Sequence, residues 1–216
     1  MHVKLPSRSL SLRPVYLPGG AGAGVRPAHS PRVPLGVLSL TLPAFFLRLW
    51  GIDWENLWWD EALSVYRAGS TWPELLTNTI RIQGTATKDL HPPLYFVLLR
   101  LWMLGVGQSE FAVRALSSIA GVLLVPLAAV LAARLIGRQA ALPAAALAAF
   151  SPFAVWYGQE ARMYTLVPLF SALSVYLLLR ALEERRLRYY VAYLAATAAL
   201  LYTHYFGLFL LGVHAG

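Results

Sequence analysis

The sequence FAVRALSSIAGVLLVPLAAVLAARLI occupies residues 111–136 and is almost entirely apolar. It is longer than the roughly 20 residues that an α-helix needs to cross the hydrocarbon core of a bilayer. Other apolar stretches lie on both sides of it, at about residues 33–50, 92–106, 140–157, 164–181 and 189–212. The pattern predicts an all-α, polytopic transmembrane helical bundle with interfacial helices in its first outer loop.

The composition supports a membrane protein and excludes several other classes. Hydrophobic residues make up 58% of the chain and charged residues 13%, and the mean hydropathy is +0.57, which is too apolar for a soluble domain. The absence of cysteine excludes disulfides and thiolate metal sites. The net charge of +8 collects in an N-terminal arm and in short connectors, which is the pattern of residues that set membrane topology. We therefore expect the lipid bilayer, and not nucleic acid, as a partner.

The charges also assign an orientation to the chain. Residues 1–32 contain five basic residues, no acidic residue and a run of glycine and alanine, which predicts a disordered basic cytoplasmic arm. In the first span Arg48 is expected to snorkel to the interface. Residues 51–91 form a long polar loop with six of the ten acidic residues, and the positive-inside rule places it outside.

Residues 92–106 are predicted to form an interfacial helix on the outer face. The segment is short, begins with two prolines and has Arg100 at its middle. If it does not cross the membrane, the basic connectors at residues 134–138 and 180–188 both fall inside. The polar clusters at residues 159–162 and 203–205 then fall outside, beside the 51–91 loop. The alanine-rich residues 140–149 are expected to serve helix packing.

Asp60 and Glu61 are the first candidates for chemistry. Adjacent carboxylates beside tryptophans need a cation, a hydrogen-bonded partner or a raised pKa. One of them could deprotonate an acceptor hydroxyl while the other orients a metal or a donor phosphate; the alternative is a pair of ordinary solvated acids. His91 precedes Pro92-Pro93 and could bind phosphate or metal, or cap the helix that follows.

The remaining candidates lie in the other outer segments. Lys88 and Asp89 could contact phosphate and metal respectively, with loop solvation as the alternative. Glu160 could hold a metal and Arg162 could grip a phosphate, unless the two simply pair. His204 and Tyr205 could contact substrate or be structural. Arg114 is expected to pair with Glu110 one turn earlier.

Five motifs, taken in order, carry a resemblance to a known family: Trp59-Asp60-Glu61, His91-Pro92-Pro93-Leu94-Tyr95, Ser151-Pro152-Phe153, residues 156–164 (WYGQEARMY) and Tyr202-Thr203-His204-Tyr205. The chain resembles bacterial family 39-like glycosyltransferases of the GT-C fold, which are related to protein O-mannosyltransferases and to aminoarabinose transferases of lipid A. The resemblance covers about residues 33–212. Because full-length relatives are considerably longer, residues 33–216 are expected to be a truncated GT-C-like transmembrane domain.

The resemblance implies a glycosyltransferase in the bacterial inner membrane, with its N-terminus in the cytoplasm and its site on the outer face. The donor would be a sugar on a polyprenyl phosphate, and a lipid, glycan or protein would supply the hydroxyl or phosphate acceptor. Asp60 would act as the base and Glu61 would support it, with Glu160 as the second acidic motif. Some relatives use a divalent metal ion and others do not, so metal use stays open.

Two alternatives remain at the level of the sequence. The first is a transporter or flippase for a lipid-linked sugar, which charges buried along a path inside the bundle would favour. The second is a non-catalytic membrane subunit of the same fold. The charges of this chain collect at one membrane face, which favours interfacial chemistry.

Overall fold

The structure, a computed structural model, describes residues 35–215, so the predicted arm at residues 1–32 lies outside the described residues. The helices and strands run in the following order: α1 (Leu35–Leu49), α2 (Trp59–Gly69), α3 (Trp72–Leu76), β1 (Thr79–Ile82), β2 (Thr85–Lys88), α4 (Leu94–Val106), α5 (Glu110–Leu135), α6 (Ala141–Phe150), α7 (Pro152–Gly158), α8 (Leu166–Glu184), α9 (Leu187–Thr203) and α10 (Gly207–Ala215). The predicted all-α membrane fold is confirmed.

Within residues 35–215, two helices are long and apolar enough to cross a bilayer by themselves. They are α5 and the segment Met163–Glu184, which joins a short 3₁₀ turn to α8. The segments Arg138–Phe150 and Pro152–Gly158 make a third candidate, with a bend of 51° between them. Two shorter apolar helices, Gly36–Leu49 and Leu94–Val106, do not reach this length. The predicted stretch 140–157 is therefore broken at Pro152, whose ring removes one backbone donor from the helix.

The 51–91 loop is folded throughout most of its length. It contains α2, α3 and an antiparallel hairpin in which Thr79 pairs with Lys88 and Ile82 with Thr85. Gln83 and Gly84 both have positive φ at the tip of the hairpin, as a tight two-residue turn requires. The sequence predicted helices in this loop but gave no sign of the hairpin.

Arg100, in the middle of α4, contacts the end of the 51–91 loop's first helix. Arg100 donates to the backbone carbonyls of Ala68 and Ser70 at the end of α2, and its guanidinium lies 4.5 Å from the ring centroid of Trp72. A charge placed halfway along a spanning helix would need such partners inside the bilayer. Arg100 has these partners, and the interfacial position of α4 stays a prediction.

Helix α5 lies at the centre and packs against α1, α4, α6, α7 and α8. Small residues allow the close approach of α1, α5 and α6, where Ala141, Ala145 and Ala149 are all buried at intervals of four. The predicted packing role of the alanine-rich segment is confirmed. A second buried cluster joins α2, α4, α5 and the connection after α7, and so supports the polar residues described below.

Arg48 does not snorkel as expected. Its side chain is fully buried and donates to the carbonyls of Ala44, Ala148 and Ala149 at 3.1, 2.7 and 3.0 Å. Pro152 has no N–H to bond to the Ala148 carbonyl, so the bend between α6 and α7 leaves backbone acceptors free. Arg48 satisfies these acceptors from a neighbouring helix, and the prediction was wrong because that need arises only in the folded bundle.

Candidate functional site

Asp60 and Glu61 stand in the first turn of α2, where carboxylates are favoured by the helix dipole. The two side chains point into different surroundings. The Asp60 side chain is 36% exposed, whereas that of Glu61 is completely buried. Neighbouring acids can therefore have separate roles, one open to a ligand and one internal.

Glu61 holds three segments of the chain together. Its carboxylate accepts hydrogen bonds from Arg114 Nε at 2.8 Å and Nη2 at 2.6 Å. It also accepts from the backbone N–H groups of Ala161 at 2.7 Å and Trp58 at 3.3 Å. The four bonds leave Glu61 little capacity to receive a proton or bind a ligand, and they fit the supporting role that the resemblance implied.

Arg114 pairs with Glu61 and not with Glu110, so the predicted partner was wrong. Besides Glu61, it donates to the carbonyls of Ile52, Glu55 and Asn56 at 2.7, 2.8 and 3.2 Å. All five N–H bonds of the guanidinium are used. Buried near the start of α5, Arg114 fixes the course of the loop that leads to α2.

Arg162 lies beside Asp60. Its Nη2 is 3.9 Å from Asp60 Oδ2, and its Nη1 donates to the Asp60 carbonyl at 3.3 Å and to Ser64 Oγ at 3.2 Å. The side chain is only about one-twentieth exposed, and within residues 35–215 its Nε has no hydrogen-bond partner. Arg162 therefore brings a buried positive charge with a spare donor to the one exposed carboxylate of the pair.

Glu160 does not pair with the side chain of Arg162. Trp156 Nε1 donates to its Oε1 at 2.8 Å, and its Oε2 is buried without a partner in the described part of the chain. Burial raises the pKa of Glu160, and the negative charge of Glu61 adds to this effect. A carboxyl group with a raised pKa and one oxygen without a partner can form a hydrogen bond with a hydroxyl group of a ligand.

His91 is oriented by Asp89. Asp89 Oδ1 accepts from the His91 backbone N–H at 3.0 Å and lies 2.8 Å from Nδ1, which leaves Nε2 of the ring for other partners. Asp89 Oδ2 is 2.5 Å from Nη1 of the buried Arg67. Burial alone would raise the pKa of Asp89, but the hydrogen bonds from His91 and the charge of Arg67 hold it well below its usual range.

The last motif joins the same cluster. The rings of His91 and His204 pack edge to face with centroids 5.7 Å apart, and His204 follows the end of α9. Burial lowers the pKa of His204, and the positive charges of His91 and Arg162 lower it further. Its Nδ1 accepts from the Phe206 backbone N–H at 3.2 Å, so the neutral ring carries its proton on Nε2. Tyr205, about half exposed, lies near enough to Arg67 to influence its pKa.

A family model described as dolichyl-phosphate-mannose-protein mannosyltransferase matches residues 90–214, which is more than half of the chain. The chain belongs to this mannosyltransferase family. The membership makes it a membrane glycosyltransferase of the GT-C kind, as the resemblance implied. No curated protein and no solved structure gives a significant match.

The part of the chain that matches the mannosyltransferase family contains His91, Arg162 and His204, and the fold places Asp60 against it. Lys88 has different partners. Its Nζ donates to the carbonyl of Thr77 and to the hydroxyl of Thr79, at 2.8 and 2.9 Å, and so secures the base of the hairpin.

The two residues predicted to bind a metal do not form a site. Asp89 is neutralised by Arg67 and hydrogen-bonded to His91, so a cation would have to displace an existing charge partner. Glu160 offers a single free oxygen. Within residues 35–215, no group of three or more His, Asp or Glu side chains is placed to hold a metal ion, and we derive no step through one.

The sequence did not predict that Arg67 and Arg114 hold the acidic residues of the site in place. A charge inside an apolar helix was the available signal for Arg114, because such a charge requires a buried partner. For Arg67 the signal is its position seven residues after Asp60 on one helical face of α2. Neither signal identifies the partner.

Proposed function

We propose that this protein transfers a sugar from a polyprenyl-phosphate donor to a hydroxyl or phosphate acceptor at the outer face of a bacterial inner membrane. The observation that carries the proposal is the contact between Asp60 and Arg162. It puts a partly exposed carboxylate next to a buried guanidinium, and the segment that matches the family also contains His91 and His204, whose rings pack together. A base and a set of phosphate ligands are the two elements that the reaction needs.

In the proposed step, the acceptor hydroxyl attacks the anomeric carbon as the bond between that carbon and the donor phosphate breaks. Asp60 takes the hydroxyl proton, and the bonding electron pair leaves with the phosphate oxygen. Arg162 stabilises the charge that develops on the phosphate, because a guanidinium can donate to two phosphate oxygens. His204 supplies a further donor through Nε2, whereas the neutral ring of His91, whose Nδ1–H is directed at Asp89, presents an acceptor at Nε2.

The fixed residues explain why such a site would keep its geometry. Glu61 and Arg114 lock the start of α2 to α5, and Asp89 fixes the ring of His91. Groups held by packing and hydrogen bonds need little reorganisation during a reaction. The outer location is supported by the distribution of basic residues between the connectors.

The test is a transfer assay with the full chain in proteoliposomes and a panel of undecaprenyl-phosphate hexoses and pentoses with radiolabelled sugars. Acceptor-dependent movement of label from the lipid to a product supports transfer. Movement of intact donor across the bilayer without cleavage would indicate a flippase. Absence of both activities, with donor binding retained, would indicate a non-catalytic subunit.

A further inference from the structure

A cavity of about 430 Å³ lies beside Glu61, the neighbour of Asp60 in the chain, between the loop after α1 and the end of α7. Its size falls in the range of about 300–1,000 Å³ that is usual for small-molecule sites. Asp60 is not among its lining residues, whereas Glu61 and Glu160 are. The cavity is therefore separate from Arg162, the residue proposed to bind the donor phosphate.

Three tryptophans form the apolar surface of the cavity. Trp54, Trp58 and Trp156 all line it, and the exposed fractions of these residues are 75%, 48% and 67%. Indole rings give broad apolar faces against which the C–H face of a sugar ring can pack, and each also has an N–H donor. Membrane-interface tryptophans usually serve as anchors, so the polar groups beside them decide the assignment.

Trp54 is held in place by the backbone. Gly51 has a φ of +69°, and a Cβ atom at this position would lie 2.9 Å from the Trp54 ring. The ring thus lies directly on the glycine, and no larger residue would fit beneath it. Gln159 donates to the Trp50 carbonyl at 2.8 Å and joins this loop to the end of α7.

The polar groups of the cavity suit hydroxyls and not phosphate. Within residues 35–215, Glu160 Oε2 is buried without a hydrogen-bond partner, and Trp156 fixes the other oxygen of the same carboxyl. Arg114 is the one cation among the lining residues, all of which lie in the described part of the chain, and its five N–H bonds are already used. A phosphate would meet Glu55 and Glu160 with no free positive charge to bind it.

We propose that this cavity binds an uncharged, hydroxyl-rich sugar ring, stacked on Trp156 and Trp54 and hydrogen-bonded to Glu160. The inference rests on the proposed glycosyl transfer, because it assigns the ring and the phosphate of that reaction to different groups. The ring can belong either to the lipid-linked donor or to a glycan acceptor. Both sources present the same chemistry to the cavity.

The test compares Trp156→Ala and Glu160→Gln with Phe153→Ala in the full chain reconstituted in nanodiscs. Phe153 is an exposed aromatic residue of the same helix α7 that does not line the cavity. Binding is measured for undecaprenyl-phosphate glucose, for undecaprenyl-phosphate mannose and for undecaprenyl phosphate without a sugar. We expect Trp156→Ala to weaken binding of a sugar-bearing lipid roughly tenfold, with less than about a twofold change for the sugar-free lipid.

The source of the ring follows from transfer kinetics with the same variants. A rise confined to the donor KM assigns the cavity to the donor sugar, and a rise confined to the acceptor KM assigns it to a glycan acceptor. The inference is overturned if neither variant differs from Phe153→Ala in lipid binding, in the donor KM or in the acceptor KM, or if binding of the sugar-bearing and sugar-free lipids falls equally. Sugar-selective binding without any transfer would instead reject the proposed function and leave the cavity assignment intact.

Discussion

Glu61 and Arg114, which are 53 residues apart in the chain, form a buried pair in which Nε and Nη2 of the guanidinium donate to the two carboxylate oxygens. The pair connects the start of α2 to α5, and Arg114 carries three loop carbonyls with it. The course of the chain into α2, and with it the position of Asp60, therefore depends on this ion pair.

Removing one member of this pair should destabilise the fold. Glu61→Ala leaves Arg114 charged and buried, which costs roughly 3–5 kcal/mol and lowers Tm by about 10 °C. Arg114→Lys should have a smaller effect in the same direction, because a lysine has three donors for five acceptors. Thermal unfolding in detergent measures both. Arg138→Lys, at an exposed arginine, is the control, and equal Tm values for the two Arg→Lys variants would contradict the expectation.

Asp60→Asn should separate activity from stability. The carboxylate is partly exposed and lies 3.9 Å from Arg162, so its loss should change Tm by no more than about 2 °C. If Asp60 is the base, sugar transfer should fall by roughly 10²–10⁴-fold. Asp53→Asn, an exposed acid of the same loop, should keep normal transfer. Near-normal transfer by Asp60→Asn would remove the assignment of the base.

The sequence predicted much of the fold because hydropathy and charge act locally. The length of residues 111–136, the clustering of acids at 51–91 and the placement of basic connectors are readable without tertiary contacts. Counting spans by charge also predicted that Asp60, Arg162 and His204 lie at the same end of the bundle. The structure places Asp60 and Arg162 within 3.9 Å of each other, and the membrane face on which they lie stays a prediction.

The partners of the buried arginines could not be read in the same way. For Arg114 the local candidate was Glu110, but the folded chain provides a better acceptor in Glu61. For Arg48 the sequence predicted a position at the membrane interface. In the folded chain its guanidinium instead donates to backbone carbonyls at the break between α6 and α7. In each case the partner lies 50 or more residues away, and only the packing of α5 against its neighbours selects it.

Asp89 should make stability depend on pH. Its pKa is lower in the folded chain than in the unfolded one, so the ionised carboxylate stabilises the fold above the unfolded value of about 3.9. That contribution is lost as the pH falls from there towards the folded pKa. Asp89→Asn should lower Tm at pH 7 and narrow the difference from the wild type below about pH 4. Asp53→Asn, at an exposed acid of the same loop that has no ion pair within residues 35–215, should keep the wild-type acid dependence; an unchanged gap for Asp89→Asn would reject the role of Asp89.

The bend between α6 and α7 gives a test of intramembrane packing. A Cβ at Gly121 would lie 2.8 Å from Arg48 Nε, and one at Gly158 would lie 3.1 Å from Arg48 Cδ. Arg48 cannot move aside cheaply, because three backbone carbonyls hold its guanidinium. Gly121→Ala should therefore destabilise by about 1–3 kcal/mol, seen as a fall in Tm of roughly 3–10 °C.

Gly105→Ala in α4 is the matched control for this substitution. A Cβ at Gly105 meets nothing within 4 Å, so the exchange should keep Tm unchanged or raise it slightly, as alanine favours a helix over glycine. If Gly121→Ala behaved like Gly105→Ala, Arg48 would have room to leave the α6 carbonyls. Pro152 alone would then hold the bend, and the Arg48→Met variant should have the same Tm as the wild type. A lower Tm for both Gly121→Ala and Arg48→Met is the result expected if the arginine stabilises the bend.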